Sequence, residues 1–307
     1  MDDSKTIGRG FDAMNLFLKD LFGSSFINLG YWGKRETTIA KAQAKLVDLF
    51  GKFSKLDHQS IVLDVGFGNG APDYFFMDQY HCKHLMGIDI ASQQVKKASE
   101  DLDKKPRYKK RMVFEIGDAL DLQKFPKQSF NRVLSLESAQ LFPDKKKFLR
   151  GVKHVLQTNG FLCLAQFMPS QGERLDFDPL ITFSNQIIFP KNLKNDQIEL
   201  IKTVMIDLLM KEKEIVEKNP FYKLSLPNYF ELIQEFNFKI VEKKELTSAI
   251  LPFFSKVKEK IFKNIKAHKY NEVILPIVNN VLAYFLIQER MFKEKISGYY
   301  FIRAKKT

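Results

Sequence analysis

Apolar and polar positions follow two different periods along this chain, and the change between them divides it. Ile61, Val62, Leu63 and Val65 form an apolar run around Asp64 that stops at Gly66, Gly68 and Gly70. A helical stretch follows, then a second apolar run, Leu85, Met86, Gly87 and Ile88, which ends on Asp89. Strand, glycine turn, helix and strand in that order predict a βαβ unit. Met112 to Ile116 and Phe130 to Leu136 read as the third and fourth strands. Phe148 to Leu156, Gly160, and Phe161 to Phe167 read as helix, turn and fifth strand. Ahead of this unit, Phe11, Met14, Leu18, Leu21 and Phe22 recur at helical intervals within residues 5–23. Thr37 to Phe53 carries Ile39, Ala42, Leu46, Leu49 and Phe50 on one helical face. Ser92 to Leu102 predicts the helix after Asp89, with Ser92 as its N-cap.

After Phe167 the β/α alternation stops. Gln197 to Ile215 has a long helical pattern, a shorter helix begins near Pro227, and Phe238 to Leu246 alternates as a sixth strand. Another helical stretch at roughly 249–293 precedes a last strand, Gly298 to Ala304. The pattern predicts an α/β fold whose core is residues 37–169, 223–246 and 298–307, with a mostly helical cap from insertions 170–222 and 247–297. Residues 1–36 form an N-terminal helix and a covering segment. The cap's aromatics, among them Phe183, Phe221, Tyr222, Phe253 and Tyr284, serve a core and line a pocket.

In an open α/β sheet, ligands bind outside the carboxyl ends of the strands. Glycines at 66, 68 and 70 let a ligand approach the backbone with no Cβ in the way. Asp89 ends the second strand, where a carboxylate can accept from both hydroxyls of a ribose. A nucleoside-bearing cofactor follows. Gly66, Gly68 and Ala71 satisfy a loose dinucleotide fingerprint with Asp89 at the expected spacing. Against that reading, Asp64 would set a negative charge beside a pyrophosphate. A carboxylate there suits a ligand bearing an ammonium and a sulfonium.

Asp64-Val65-Gly66-Phe67-Gly68-Asn69-Gly70 resembles the DxGxGxG motif of class I S-adenosylmethionine-dependent methyltransferases. Gly117-Asp118-Ala119 after the third strand, and Glu137-Ser138-Ala139 after the fourth, match that family in order and spacing. The resemblance implies a Rossmann-like, seven-stranded sheet with helices on both faces, and S-adenosyl-L-methionine as cofactor. It further implies cofactor contacts at Asp64, Gly66, Gly68, Gly70, Asp89, Ile90, Gln94, Asp118, Ala119 and Leu136. Asp118 would lie near the adenine amino group and Gln94 on the adenine side. Phe26 to Gly33, which contains Tyr31 and Trp32, resembles a segment of the small-molecule subgroup typified by erythromycin-type sugar O-methyltransferases and geranyl diphosphate C-methyltransferases. In that subgroup the segment folds over the cofactor. Aromatic faces attract a sulfonium cation and exclude water. With glycines on both sides, Tyr31 and Trp32 are expected to order only on the cofactor; a plain hydrophobic staple is the alternative.

Composition adds limits. The 307 residues carry 49 Lys and Arg against 36 Asp and Glu, a net charge of +13 that invites a nucleic-acid partner. The lysines, however, stand in separate runs such as Lys104-Lys105 and Lys145-Lys146-Lys147, each fitting a solvated helix end or loop. The fourth strand also lacks the Asn/Asp-Pro-Pro-aromatic tetrad of base N-methyltransferases. Cys82 and Cys163 offer neither metal spacing nor a disulfide framework. The first residues lack the character of a signal peptide, and Val273 to Ile287 is broken by Pro276, Asn279 and Asn280, so a cytoplasmic chain with no membrane span is expected.

Methyl transfer to an alcohol gains from a general base. Members of the subgroup often carry His one or two residues after Glu-Ser-Ala, where this chain has Gln140 and Leu141. Glu137, Gln140 and, within the cap, His268 are therefore the catalytic candidates. The reading is a methyltransferase acting on a hydroxyl of a natural-product-like or apolar small molecule. C-methylation of a prenyl or lipid-like substrate is the alternative, with a nucleic-acid methyltransferase or a catalytically silent cofactor-binding protein behind it.

Overall fold

The computed structural model describes residues 17–18, 20–33, 38–170, 177, 180–182, 189, 193, 195–219, 223–270, 272 and 274–307. The expected N-terminal helix lies mostly outside these residues, as do Phe183, Phe221 and Tyr222. Helix α1 (Ile39–Phe53) begins at Thr38, whose side chain accepts from the Lys41 amide, and buries Ala42, Leu46, Val47 and Phe50. Strand β1 (Ile61–Val65) follows, then α2 (Ala71–Tyr80), β2 (His84–Asp89), α3 (Ser92–Asp103) and β3 (Met112–Ile116). Strand β4 (Phe130–Leu136), a single helical turn at Ala139–Leu141, α4 (Lys145–Val155) and β5 (Leu156–Pro169) complete the first half. The second half is α5 (Asn195–Lys218), α6 (Leu226–Glu235), β6 (Phe238–Glu245), α7 (Thr247–Lys266), α8 (Leu275–Lys293) and β7 (Ser297–Lys306).

Seven strands form one sheet in the order β3-β2-β1-β4-β5-β7-β6. Neighbours from β3 to β5 run parallel, and β7 is antiparallel to both β5 and β6. Alternation along the strands feeds two cores: Val62 and Leu85 face one, Leu63 and Ile88 the other. The first core takes α1, α2, α3 and the cap helices α5, α7 and α8; the second takes α4 and α6. Sequence order reverses direction at β1, which lies between β2 and β4, so the crevice at their carboxyl ends is the switch point where such sheets bind ligands.

Three local expectations change. Gly160 was expected to turn the chain, yet β5 runs through it. Asn159, at φ 65°, and the register jump between Phe130 and Arg132 absorb the extra residues as a bulge. Helix α4 starts at Lys145 rather than Phe148, because Asp144 caps it through the Lys147 amide at 2.8 Å. The N-cap of α3 is Ala91, not Ser92; the Ala91 N–H donates to Asp89 Oδ1 instead. Both cysteines are free and buried. Among the described residues no helix is long and apolar enough to cross a membrane, and no cluster of side chains is arranged to hold a metal ion.

Candidate functional site

The loop after β1 holds Gly66, Gly68 and Gly70 at φ +78°, +64° and +73°, conformations that a side chain would strain. The Gly66 N–H donates to Ile88 O at 2.8 Å. A Cβ on Gly66 would lie 2.4 Å from Ser138 Cβ, so the loop rests directly on the turn after β4. Ser138 Oγ secures that contact by donating to Val65 O at 2.5 Å.

Asp89 bridges two elements: Oδ2 accepts from the Gly68 N–H and Oδ1 from the Ala91 N–H, each at 2.9 Å. The Gly117 N–H donates to Asp89 O at 3.0 Å and brings the end of β3 alongside. Asp118 is exposed, with Oδ1 accepting from the Leu120 N–H at 2.8 Å, and Ala119 is buried beside it. Gln94 is buried in the first turn of α3, while Ile90 and Leu136 are half-buried at the ends of β2 and β4. The glycine loop and these positions therefore gather on one edge of the sheet.

Asp64 differs from expectation. It is not a lone carboxylate: it faces Asp73 of α2, and both are buried. Removal from water raises both carboxyls above their usual range; the neighbouring Asp64 raises Asp73 further, whereas Asp73 opposes the rise at Asp64 and the charge of Asp89 adds to it.

The segment before α1 is tied to its neighbours by hydrogen bonds. Leu29 N–H donates to both oxygens of Glu137 at 3.1 and 3.0 Å. Gln43 Nε2 donates to Asn28 O at 2.6 Å, the Tyr31 N–H to Ala42 O at 2.9 Å, and the Trp32 N–H to Ala249 O at 2.7 Å. Gly30 is pressed so closely on α1 that a Cβ would meet Ala42 Cβ at 2.7 Å. Backbone bonds thus tie Tyr31 to α1 and Trp32 to α7, while Leu29 is tied to the residue after β4.

Glu137 stands at the centre of those anchors. Its Oε1 also accepts from Tyr299 Oη at 2.7 Å. The residue keeps some exposed backbone at φ 59°, but its carboxyl is enclosed, and burial pushes it up to about 7 against the opposing pull of Tyr299 and Leu29. Glu137 does not line the cavity described next.

That cavity, a narrow cleft of about 30 Å³ partly open to solvent, lies beyond the Ala139–Leu141 turn. Gln140, the end of β5, α6, α8 and the first residue of β7 wall it. Phe167, Met168, Leu224 and Met291 give apolar surface. Gln140 Nε2 donates to Glu137 O at 2.7 Å, which fixes the amide. Lys145, expected on a solvated run, is 3% exposed: Nζ donates to Ala139 O, Gln140 O and Phe142 O at 2.8, 3.1 and 2.5 Å and so pins the turn. Burial, with Lys223 nearby, lowers its pKa to about 7. His268 is exposed in the turn closing α7 and is not among the lining residues, because α7 ends there in a left-handed residue that points the chain back to the surface. His58, His81 and His84 are exposed, and His154 Nε2 bonds Phe125 O at 3.0 Å. Sequence reasoning had missed Asp73, Lys145, Gln166, Gln288 and Tyr299.

A family model described as a methyltransferase domain matches residues 56–218. Erythromycin 3''-O-methyltransferase of Saccharopolyspora erythraea is 32% identical over 145 residues, 47% of this chain and 47% of that protein. The 27-O-demethylrifamycin SV methyltransferase of Amycolatopsis mediterranei is 34% identical over 162 residues, 53% of this chain and 58% of that protein. The chain thus spans about half the length of these curated relatives. Among solved structures, the [4+2]-cyclase SpnF superposes with a TM-score of 0.72 at 20% identity, covering 99% of this chain and 96% of that one. The geranyl diphosphate C-methyltransferase of Streptomyces coelicolor A3(2) gives 0.65 at 11% identity, covering 100% and 99%. At such identities these two likenesses show the fold.

Proposed function

The chain belongs to the methyltransferase-domain family, and on that premise we propose that it transfers the methyl group of S-adenosyl-L-methionine to a small-molecule acceptor, through a hydroxyl oxygen. The observation that carries this reading is the junction of the left-handed glycine loop with Asp89 at the switch point of the sheet. The residues fit that cofactor. Three glycines leave the loop backbone open to close approach. Asp89 ends β2 beside the loop, and a carboxylate there can accept from ribose hydroxyls. Asp64, two residues before the first glycine of the loop, favours a cationic group when it is ionised. Ile90, Gln94, Asp118, Ala119 and Leu136 would enclose the adenosine, and Tyr31 and Trp32 would cover it.

When bound, the cofactor supplies an electrophilic methyl carbon. The chain's own task is to hold the acceptor oxygen in line with that carbon and keep water away. The Ala139–Leu141 turn, braced by Lys145 on one side and by Ser138 against Val65 on the other, separates the glycine loop from the cavity and sets that alignment. With its oxygens engaged by Leu29 and Tyr299, Glu137 acts as a positioning residue that fastens the covering segment. No histidine or carboxylate lines the cavity among the described residues, which favours an acceptor that needs little deprotonation. Both curated relatives are named for methylation at oxygen, which supports a hydroxyl acceptor over the C-methylation alternative.

Titration calorimetry tests the cofactor. Micromolar binding of S-adenosylmethionine and of its demethylated product is expected, with no heat from NAD. The converse result would overturn the reading.

A further inference from the structure

We propose that Gln140, Gln166 and Gln288 are the specificity-determining residues of the cavity, and that they select an uncharged acceptor by receiving hydrogen bonds from its hydroxyl groups. This rests on the methyltransferase reading above. All three side chains line the cavity, and all three are at least nine-tenths buried. Their Oε1 atoms have no hydrogen-bond partner, and neither has Ser297 Oγ on the same wall. A buried carbonyl left without a donor is costly, and native interiors tolerate few of them. Three from separate elements meeting at one cavity mark a surface built for donors that arrive with a ligand.

The fold sets the orientation of the Gln140 amide. Gln140 commits its Nε2 to Glu137 O, so its Oε1 is left for the cavity. Gln166 and Tyr229 lie on the same wall, and Gln166 Oε1 and Tyr229 Oη are each without a hydrogen-bond partner. The donors required could be N–H or O–H. Charge decides between them. Among the described residues Lys145 and Lys223 are the cations on the wall, Lys223 is paired with Glu212 at 2.5 Å, and no carboxylate lines the cavity. An ammonium would enter a space with no counter-charge and would lose its hydration there. Hydroxyls satisfy the same acceptors without that penalty, and Phe167, Met168, Leu224 and Met291 cover the carbon skeleton between them.

The test uses the full chain saturated with S-adenosylhomocysteine and three matched probes: a phenyl glucoside, the phenyl glucosaminide that replaces one hydroxyl with an ammonium, and the phenyl glucuronide that introduces a carboxylate. The neutral glucoside should bind at least tenfold more tightly than the glucosaminide. Gln166→Leu and Gln288→Leu should each weaken the glucoside at least tenfold and leave cofactor affinity unchanged. Because each replaces an unpaired buried amide with an apolar group, each should also raise the melting temperature. Equal or tighter binding of either charged probe would overturn the proposal, as would saturation by none of the three. Lower melting temperatures in both variants would also overturn it, because they would assign the amides to the fold. Failure to bind the cofactor at all would instead refute the proposed function, and calorimetry without any probe reads that separately.

Discussion

The two halves of the sheet build their sites in different ways. On the β1–β3 side, the loop and the acid that closes it come from one stretch, Gly66 to Asp89, and much of the geometry is backbone: positive φ at three glycines and amides aimed at a carboxylate. On the β4–β7 side, the cavity draws Gln140, Gln166, Gln288 and Ser297 from four elements far apart in sequence, and the geometry is side-chain. A contiguous site leaves a mark that can be read as spacing. A dispersed one leaves scattered amides that no periodicity singles out. The first half suits a ligand common to many proteins, and the second is free to vary with the acceptor.

The sharpest way to break this comparison is to add one methyl group to the backbone-built half. Gly66→Ala places a Cβ 2.4 Å from Ser138 Cβ in a left-handed residue. Strain plus overpacking should cost roughly 2–4 kcal/mol, with cofactor binding lost before the fold is. Calorimetry at 15 °C together with a thermal melt checks it. An unchanged affinity would mean that the loop does not carry the ligand.

Glu137 stands at the seam and should show a pH signature. Its carboxyl is raised in the fold, so the stability it contributes is fully present below its ordinary value near 4.5 and is lost as pH rises through about 7. The difference is worth roughly 3 kcal/mol. Glu137→Gln keeps an oxygen for Leu29 and an amide for Tyr299 but does not titrate. Its melting temperature should therefore gain on the parent steadily from pH 5 to 8. Parallel curves would remove the buried-carboxyl account. The lone tryptophan gives a second reading, because Trp32 should emit as a shielded indole without cofactor if the anchors on α1 and α7 suffice.

Asp89→Ala probes the cofactor half from its side-chain end. Losing charge-assisted bonds to a ribose should cost roughly 1–3 kcal/mol of S-adenosylmethionine affinity. Loosening of Gly68, whose amide Asp89 also holds, adds to it. Equal affinity in parent and variant would place the ribose elsewhere.

The same contrast explains what could be read in the chain beforehand. All seven strand positions, apart from the early start of β5, and the glycine loop were legible because apolar runs and glycine spacing report the backbone directly. Asp73 was not, since an acid in the first turn of a helix is an ordinary complement to the helix dipole. Only its packing against Asp64 makes it unusual. Lys145 was hidden in a run of three lysines, and its burial depends on three carbonyls of a turn that spacing alone cannot place. Tyr299 needed the register of β7 to bring it to Glu137 from more than 160 residues away.

The smallest effect is expected at Asp118, and it refines the claim that the cofactor half works through backbone. Oδ1 of this exposed carboxylate already accepts from the Leu120 N–H, which shapes the turn after β3. Asp118→Asn can keep that bond through its amide oxygen and gives up only Oδ2 as an acceptor for an adenine amino group. Loss of one partly solvated hydrogen bond should cost about 0.5–1.5 kcal/mol of cofactor affinity. The Ala119 N–H remains available to the ring, so binding should weaken and not vanish. A loss as large as that of Asp89→Ala would show that side chains govern both halves. No loss would leave adenine recognition to the backbone and to Gln94, and Gln94→Ala would then be the variant that weakens binding.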